Sequence, residues 1–202
     1  MNNWETALNP TSPWRSAMSI PREVTLQRIN GQLRLCQTPV RELARLRGKE
    51  ISLQNVRCNG TTPLTVRGQQ LEIEAEFAVG QATEFGLRVL KSGNEQTVIG
   101  YDVAKQALYV DRTQSGNVTF HPAFAGRHAG PLVQVNGRVR IRILVDTSSV
   151  EVFGNNGECV ITDLVFPKST SDQVEVFAKG GECELLSLKA WPIADSMRKP
   201  LP

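Results

Sequence analysis

The chain has 202 residues, 40% of them hydrophobic and 21% charged, a composition that suits a soluble globular body able to bury a core without staples. Its net charge of +3 is scattered, and its densest basic cluster (Arg41, Arg45, Arg47, Lys49) is diluted by Glu42 and Glu50, so nucleic acid is not expected as a partner. No apolar run approaches the roughly 20 residues of a membrane span, and residues 1–5 have neither the basic nor the apolar region of a signal peptide.

Residues 1–45 are irregular, rich in Trp, Pro and Arg, with little sustained period. Residues 40–47 carry the only helical signal, a connector of a turn or two. From about residue 50 the texture changes to short stretches of period two. Over residues 70–78, Leu71, Ile73, Ala75 and Phe77 point one way while Glu72, Glu74 and Glu76 point the other, which predicts a half-buried strand with a solvated acidic face. Strands are then predicted at 84–91, 96–102 and 107–111. Residues 138–146 repeat the alternation with Val139, Ile141, Ile143 and Val145 inward and Arg138, Arg140 and Arg142 outward. Further strands follow at 149–154, 158–166, 173–178 and 184–191. Breaks at 92–94, 115–117, 136–137, 155–157 and 179–181 are rich in Asn, Ser and Gly, with Asn-Gly pairs where a tight hairpin needs positive φ. Many short strands at this spacing predict an all-β antiparallel β-sandwich of the jelly-roll or lectin-like kind.

Side chains able to carry chemistry are few. Glu72, Glu74 and Glu76 read as solubility charges, and Asp111, Asp146 and Asp163, at or near strand ends, as turn and cap residues. The four cysteines, Cys36, Cys58, Cys159 and Cys183, form no CxxC pair and have no His at ligand spacing, which argues against zinc. They read as small buried hydrophobes, and the pairing of any disulfide among them stays open. No GxSxG elbow, GxGxxG run or P-loop occurs, so no catalytic residue, metal or cofactor is assigned. The loop of residues 120–131 is the best polar-plus-aromatic cluster. Phe120 and Phe124 beside His121 and His128 suit stacking on a sugar ring and bonding to its hydroxyls, and equally suit anchoring the loop.

Beyond these patterns, Pro13-Trp14-Arg15-Ser16-Ala17-Met18-Ser19-Ile20-Pro21-Arg22-Glu23 resembles the end of the catalytic domain of glycoside hydrolase family 32, the levanases, inulinases and invertases. Met1-Asn2-Asn3-Trp4 resembles a segment of that domain's last blade. Val145-Asp146-Thr147-Ser148-Ser149-Val150-Glu151-Val152-Phe153-Gly154-Asn155 resembles the signature strand pair of the family's C-terminal sandwich, and residues 110–116 and 164–167 fit the same domain. The resemblance implies a remnant of the last blade of a five-bladed propeller plus linker over residues 1–45, and a C-terminal β-sandwich over 46–202.

It also implies a retaining hydrolysis in which an Asp nucleophile, a Glu acid/base and a second Asp act together. Their motifs, Asn-Asp-Pro-Asn-Gly, Glu-Cys-Pro and Arg-Asp-Pro, do not occur here. Glu158-Cys159 and Glu182-Cys183 begin the acid/base motif, but Val160 and Glu184 follow in place of proline. The chain is therefore expected to be inactive alone. Its expected partner is the missing catalytic propeller, which it would support. The alternatives are a module that binds fructan or fructose, and one subunit of a split β-fructosidase. In the last reading Trp4 would stand on the rim of the substrate funnel, and it joins Phe120, His121, Phe124 and His128 as a candidate carbohydrate-binding residue. Homo-oligomers through an uncovered apolar patch are a further expectation. The polymeric substrates of the family imply a secreted or periplasmic full-length parent.

Overall fold

The computed structural model describes residues 9–13 and 17–196. All the ladders between its strands are antiparallel, and its one helical element is a 3-10 turn, Arg41–Leu46. Strands β1 (Arg22–Ile29) and β2 (Gln32–Pro39) form a hairpin of their own. Asn30 and Gly31 turn it with φ of 49° and 80°, the left-handed pair that a two-residue hairpin needs. The other ten strands are β3 (Ile51–Arg67), β4 (Leu71–Ala78), β5 (Glu84–Ser92), β6 (Glu95–Asp102), β7 (Ala107–Gln114), β8 (Arg127–Pro131), β9 (Arg138–Asp146), β10 (Ser149–Gly154), β11 (Cys159–Leu164) and β12 (Gln173–Pro192). They form one ladder in the order β11-β10-β9-β4-β12-β5-β6-β7-β8, with β3 also paired to β12.

The long strand β12 turns this single ladder into two layers. Its first stretch pairs with β5, ending at Lys179↔Glu84, and its second pairs with β4, beginning at Glu184↔Ala78. Strand β3 accompanies it along both stretches. Between them residues 179–182 bulge out of register, with Gly180 and Gly181 at φ of 67° and 147°. The ladder folds over at this corner, and β11 comes to lie against β8 and β7 on the far side. The strands predicted at 173–178 and 184–191 are thus one strand.

The core follows from alternation. Leu71, Ile73 and Phe77 of β4 and Val139, Ile141 and Ile143 of β9 are buried against Phe85, Leu87, Ile99, Tyr101, Leu108 and Val110 of the facing wing. Each large apolar side chain so removed from water contributes about 1.5–3 kcal/mol. Tyr101 keeps its polar end satisfied by donating to Leu132 O at 2.9 Å. On the outer face of that wing Tyr109 lies across Gly100, where a Cβ would come 2.2 Å from its ring. The Arg127 guanidinium caps the same ring 3.4 Å from its centroid.

The outer face of β4 corrects the expectation of a solvated acidic stripe. Glu72 is fully buried. Arg47, just past the 3-10 turn, donates to it from Nε at 2.8 Å and from Nη2 at 2.6 Å, and Arg142 of β9 donates from Nε at 2.7 Å. Arg47 also reaches Glu74 at 2.7 Å and stacks 3.9 Å from the Trp191 ring centroid. Glu76 receives Arg140 at 3.2 Å. Alternation assigned the inward face correctly, but it could not show that the linker would close over the outward one.

Burial pushes the Glu72 pKa up, but the hydrogen bonds from Arg47 and the charge of Arg142 outweigh it and hold the carboxyl below its usual value of 4.5. A folded-state pKa below the unfolded one means stability that is present above pH 4.5 and lost as pH falls through the folded value. Replacing Glu72 with Ala leaves two guanidinia facing one another beneath the linker. Glu72→Ala is expected to lose about 3–5 kcal/mol in urea unfolding at neutral pH and to soften the acid limb of the stability curve. A loss under about 1 kcal/mol would show that solvent compensates the arginines and that the triad holds little.

Candidate functional site

Two places in the fold gather polar side chains around an apolar feature. The first is the loop from β7 to β8. Asp111 Oδ1 accepts the Thr113 N–H at 2.9 Å and the Thr113 hydroxyl at 2.7 Å, where β7 slips out of register against β6. Gly116 then passes so close to the chain after β11 that a Cβ would lie 2.0 Å from Phe166 O, and its φ of 92° suits glycine alone. Ser115 O and Phe166 O each accept an N–H across this contact, at 3.1 and 2.9 Å.

Beyond it Phe120, Phe124 and Phe166 form a ring cluster with centroids 4.5–5.5 Å apart. Phe124 is fully buried, with the Arg112 guanidinium 4.0 Å from its centroid, so its part is to hold the loop in place. Phe120 is half-buried on the same cluster. His121 caps a turn by accepting the Ala123 N–H on Nδ1 at 3.2 Å.

His128, on β8, is the most exposed of Phe120, His121, Phe124 and His128, with 48% of its side chain exposed. Asp163 of β11 fixes its ring, with Nδ1 2.7 Å from Oδ1 and 3.0 Å from Oδ2, which leaves Nε2 for another partner. Asp163 is not the turn residue that its sequence position suggested. It is 4% exposed, and Arg112 Nη1 lies 3.6 Å from its Oδ1. Burial pushes its pKa above the usual carboxylate value, and the charges of Arg112 and His128 offset only part of that rise. Phe120, His121 and Phe124 therefore share one loop, packed by Arg112 and Phe166, and His128 stands on the strand that follows it, oriented by Asp163. Trp4 lies outside the described residues.

The second place is the hairpin. Glu151 of β10, 3% exposed, accepts the Ile20 N–H at 2.8 Å and Arg22 Nη2 at 2.5 Å. Arg22 also donates to Thr162 Oγ1 at 2.6 Å and to Gln37 Oε1 at 3.1 Å, and lies 5.2 Å from the Phe153 ring centroid. The Gln37 N–H donates to Gly157 O at 3.1 Å, a contact so close that a Cβ on Gly157 would lie 2.0 Å from Gln37 O. One end of the hairpin is thus clamped to the wing β9-β10-β11, and Cys36 is buried there.

The rest of the hairpin carries an uncovered aliphatic stripe. Val24, Leu26, Leu33 and Leu35 are 56–65% exposed, and Leu26 stands directly opposite Leu35. Sequence reasoning missed this hairpin, although Asn30-Gly31 between two alternating runs is its signal.

These features define the class, an antiparallel β-sandwich carrying a charge-clamped hairpin in front of it. A sequence model of the family described as Glycosyl hydrolases family 32 C terminal matches residues 42–192, and the chain belongs to that family. It is 46% identical to the levanase of Bacillus subtilis (strain 168) over 96% of its own length and 30% of that protein's. It is 40% identical to the extracellular exo-inulinase of Aspergillus awamori over 84% of this chain and 33% of that one. The crystal structure of exo-inulinase from Aspergillus awamori superposes with a TM-score of 0.89 at 36% identity, covering 96% of this chain and 39% of the other. Fructan 1-exohydrolase IIa from Cichorium intybus shares the fold, with a TM-score of 0.75 at 20% identity over 88% of this chain and 41% of that one. The chain thus spans about a third or less of the curated relatives it matches.

If Asp163 is what holds the loop, its two roles separate by substitution. Asp163→Ala removes the carboxylate beside the buried Arg112 and is expected to cost about 3–5 kcal/mol by urea unfolding, whereas Asp163→Asn keeps an acceptor for His128 and should lose less than half of that. Equal losses for the two variants would show that charge alone matters at this position.

Proposed function

We propose that this chain is the C-terminal portion of a secreted fructan-hydrolysing enzyme, non-catalytic itself, whose task is to seat and support the catalytic propeller. The observation that carries this reading is the aliphatic stripe of β1 and β2, presented to solvent while the hairpin's other end is fastened by Arg22 and Glu151. A two-stranded sheet is marginal by itself, and four exposed aliphatic side chains on one face call for a covering partner. Residues 1–45 in this reading belong to the last propeller blade, and 46–202 to the sandwich. The proteins named levanase and extracellular exo-inulinase at 40–46% identity support fructan as the substrate of the whole enzyme and an extracellular setting for it.

A second reading is a fructan-binding module. The half-exposed His128 ring, held by Asp163 through Nδ1 with Nε2 left for another partner, is the specific observation in its favour. Phe120, His121 and Trp4 would complete the contact surface, with Phe124 as the buried support of the loop.

The two readings separate in one set of measurements. The propeller portion of the Bacillus subtilis levanase, made without the segment that matches this chain, is mixed with this chain and assayed for fructose release from levan and for co-elution. Support by docking expects a stable complex, release by the mixture above either part alone, and loss of both in the Leu26→Glu/Leu35→Glu variant. Saturable calorimetric binding of levan by the lone chain, abolished by His128→Ala, would favour the binding module. Self-association of the lone chain, lost in the same leucine variant, would instead assign the stripe to a second copy. Fructose release by the lone chain would overturn the non-catalytic reading.

A further inference from the structure

Strands β3 and β12 pass from one wing of the sandwich to the other side by side, and their ladder is interrupted at the corner. Gly60 pairs with Ala178 and Cys58 with Cys183, so two steps along β3 oppose five along β12. The excess, residues 179–182, is held away from β3 by the turn between β4 and β5. Glu182 O accepts the N–H groups of Gln81 and Ala82, both at 3.1 Å, and Lys179 O accepts that of Thr83 at 2.8 Å. Cys58 and Cys183 are therefore the first facing pair after the gap, at the point where the two long strands have the fewest bonds between them.

The two thiols share one buried environment. Cys58 is 1% exposed and Cys183 2%, and both belong to the same apolar cluster. Cys58 Sγ lies 3.5 Å from Val176 O and Cys183 Sγ 4.0 Å from Phe177 O, consecutive carbonyls of β12. Directly facing residues of an antiparallel pair have Cα atoms about 4.5–5.5 Å apart and side chains on the same side of the sheet. That separation falls inside the roughly 4.4–6.8 Å spanned by disulfides. The other two cysteines are placed differently. Cys36 lies under the hairpin, and Cys159 faces β8, its sulfur 2.7 Å from where a Cβ on Gly130 would stand.

We infer that Cys58 and Cys183 form a cross-strand disulfide when the chain folds in an oxidising compartment, welding β3 to β12 at the corner of the sandwich. The structure holds all four cysteines as free thiols, the reduced form. Oxidation proceeds by exchange with a small-molecule disulfide. One thiolate attacks it, forming a mixed disulfide and releasing one small thiol. The second cysteine thiolate then displaces the other small thiol as the protein S–S bond forms. The protein gives up two protons and two electrons, and the small disulfide is reduced to two thiols.

The native Cys183 thiol is a poor starting point for this exchange. Burial, with a smaller effect from Cys58, pushes the Cys183 pKa up to about 12, so the reactive thiolate is scarce in the folded chain. The bond is therefore made while β3 is closing on β12 and is protected afterwards. More than half of the chain lies between the two cysteines, a long loop whose closure restricts the unfolded state strongly. The inference does not rest on the proposed fructan function.

The test is to refold the reduced chain with a mixture of oxidised and reduced glutathione, alkylate the remaining thiols, and map the peptides by mass spectrometry. The expected result is a cross-linked peptide joining Cys58 to Cys183, with Cys36 and Cys159 alkylated. The oxidised chain should melt about 5–15 °C above the reduced one, a difference abolished in Cys183→Ser. Four alkylated cysteines, a scramble of pairings, or a bond between two chains would each overturn the inference. The same map on protein exported to a bacterial periplasm answers the question without refolding.

Discussion

The Glu72 carboxylate, removed from water on what strand alternation makes the outside of the sandwich, determines how the two parts of this chain meet. An isolated buried carboxylate costs several kcal/mol in lost hydration. Here two guanidinia from different directions offset that cost, one from the neighbouring strand β9 and one from the linker that follows the 3-10 turn. The Trp191 ring beneath Arg47 completes the stack and ties it to the end of β12. An apolar side chain at position 72 would also be content in a dry place, but it would give the linker no reason to pass at one height and angle. A fork of hydrogen bonds from Arg47 to both carboxylate oxygens has one geometry, so the ion pair sets position as much as stability.

The same device is used a second time on the same wing. Glu151, two strands away from β4, collects the Ile20 N–H and the Arg22 guanidinium, and Thr162 and Gln37 accept from the same guanidinium. The N-terminal segment is thus fastened to the sheet by charge-assisted bonds, with Cys36 and Pro39 buried beside them. Val24, Leu26, Leu33 and Leu35 are spared from that contact and stay available on the hairpin. Charge fastens one end, and the aliphatic surface is presented at the other.

How far this was legible in the sequence depends on how local each signal is. The inward faces of β4 and β9 were plain, because period two over eight residues is local and every odd position agrees. The hairpin β1–β2 was equally local, with Asn30-Gly31 between Val24/Leu26 and Leu33/Leu35, but the Trp- and Pro-rich run before it masked it. Strand β3 was hidden for a different reason. Asn55 at φ 54°, Gly60 at φ 88° and Pro63 look like turn residues, and they are where a long strand bends around the corner. For the same reason Lys179-Gly180-Gly181 read as the end of one strand and the start of another. The fate of Glu72, Glu151 and Asp163 was not local at all. Asp163 and His128 stand 35 positions apart, and Glu151 and Arg22 stand 129 apart, so composition could flag His128 but not the carboxylate that orients it.

The two wings divide the work accordingly. The wing β5-β6-β7-β8 closes its outer surface with its own residues, as Arg127 over Tyr109 over Gly100 illustrates, and its loop is packed shut around Phe124. The wing β4-β9-β10-β11 offers Glu72 and Glu151 to arginines that arrive from the N-terminal side. A sandwich built this way can complete its core first, because none of the clamp residues contributes to the apolar cluster. The carboxylates sit on the sheet's own strands, and the N-terminal segment meets them through hydrogen bonds. Its position is therefore set by hydrogen-bond geometry on the sheet, while the aliphatic surface of its hairpin lies outside the apolar cluster.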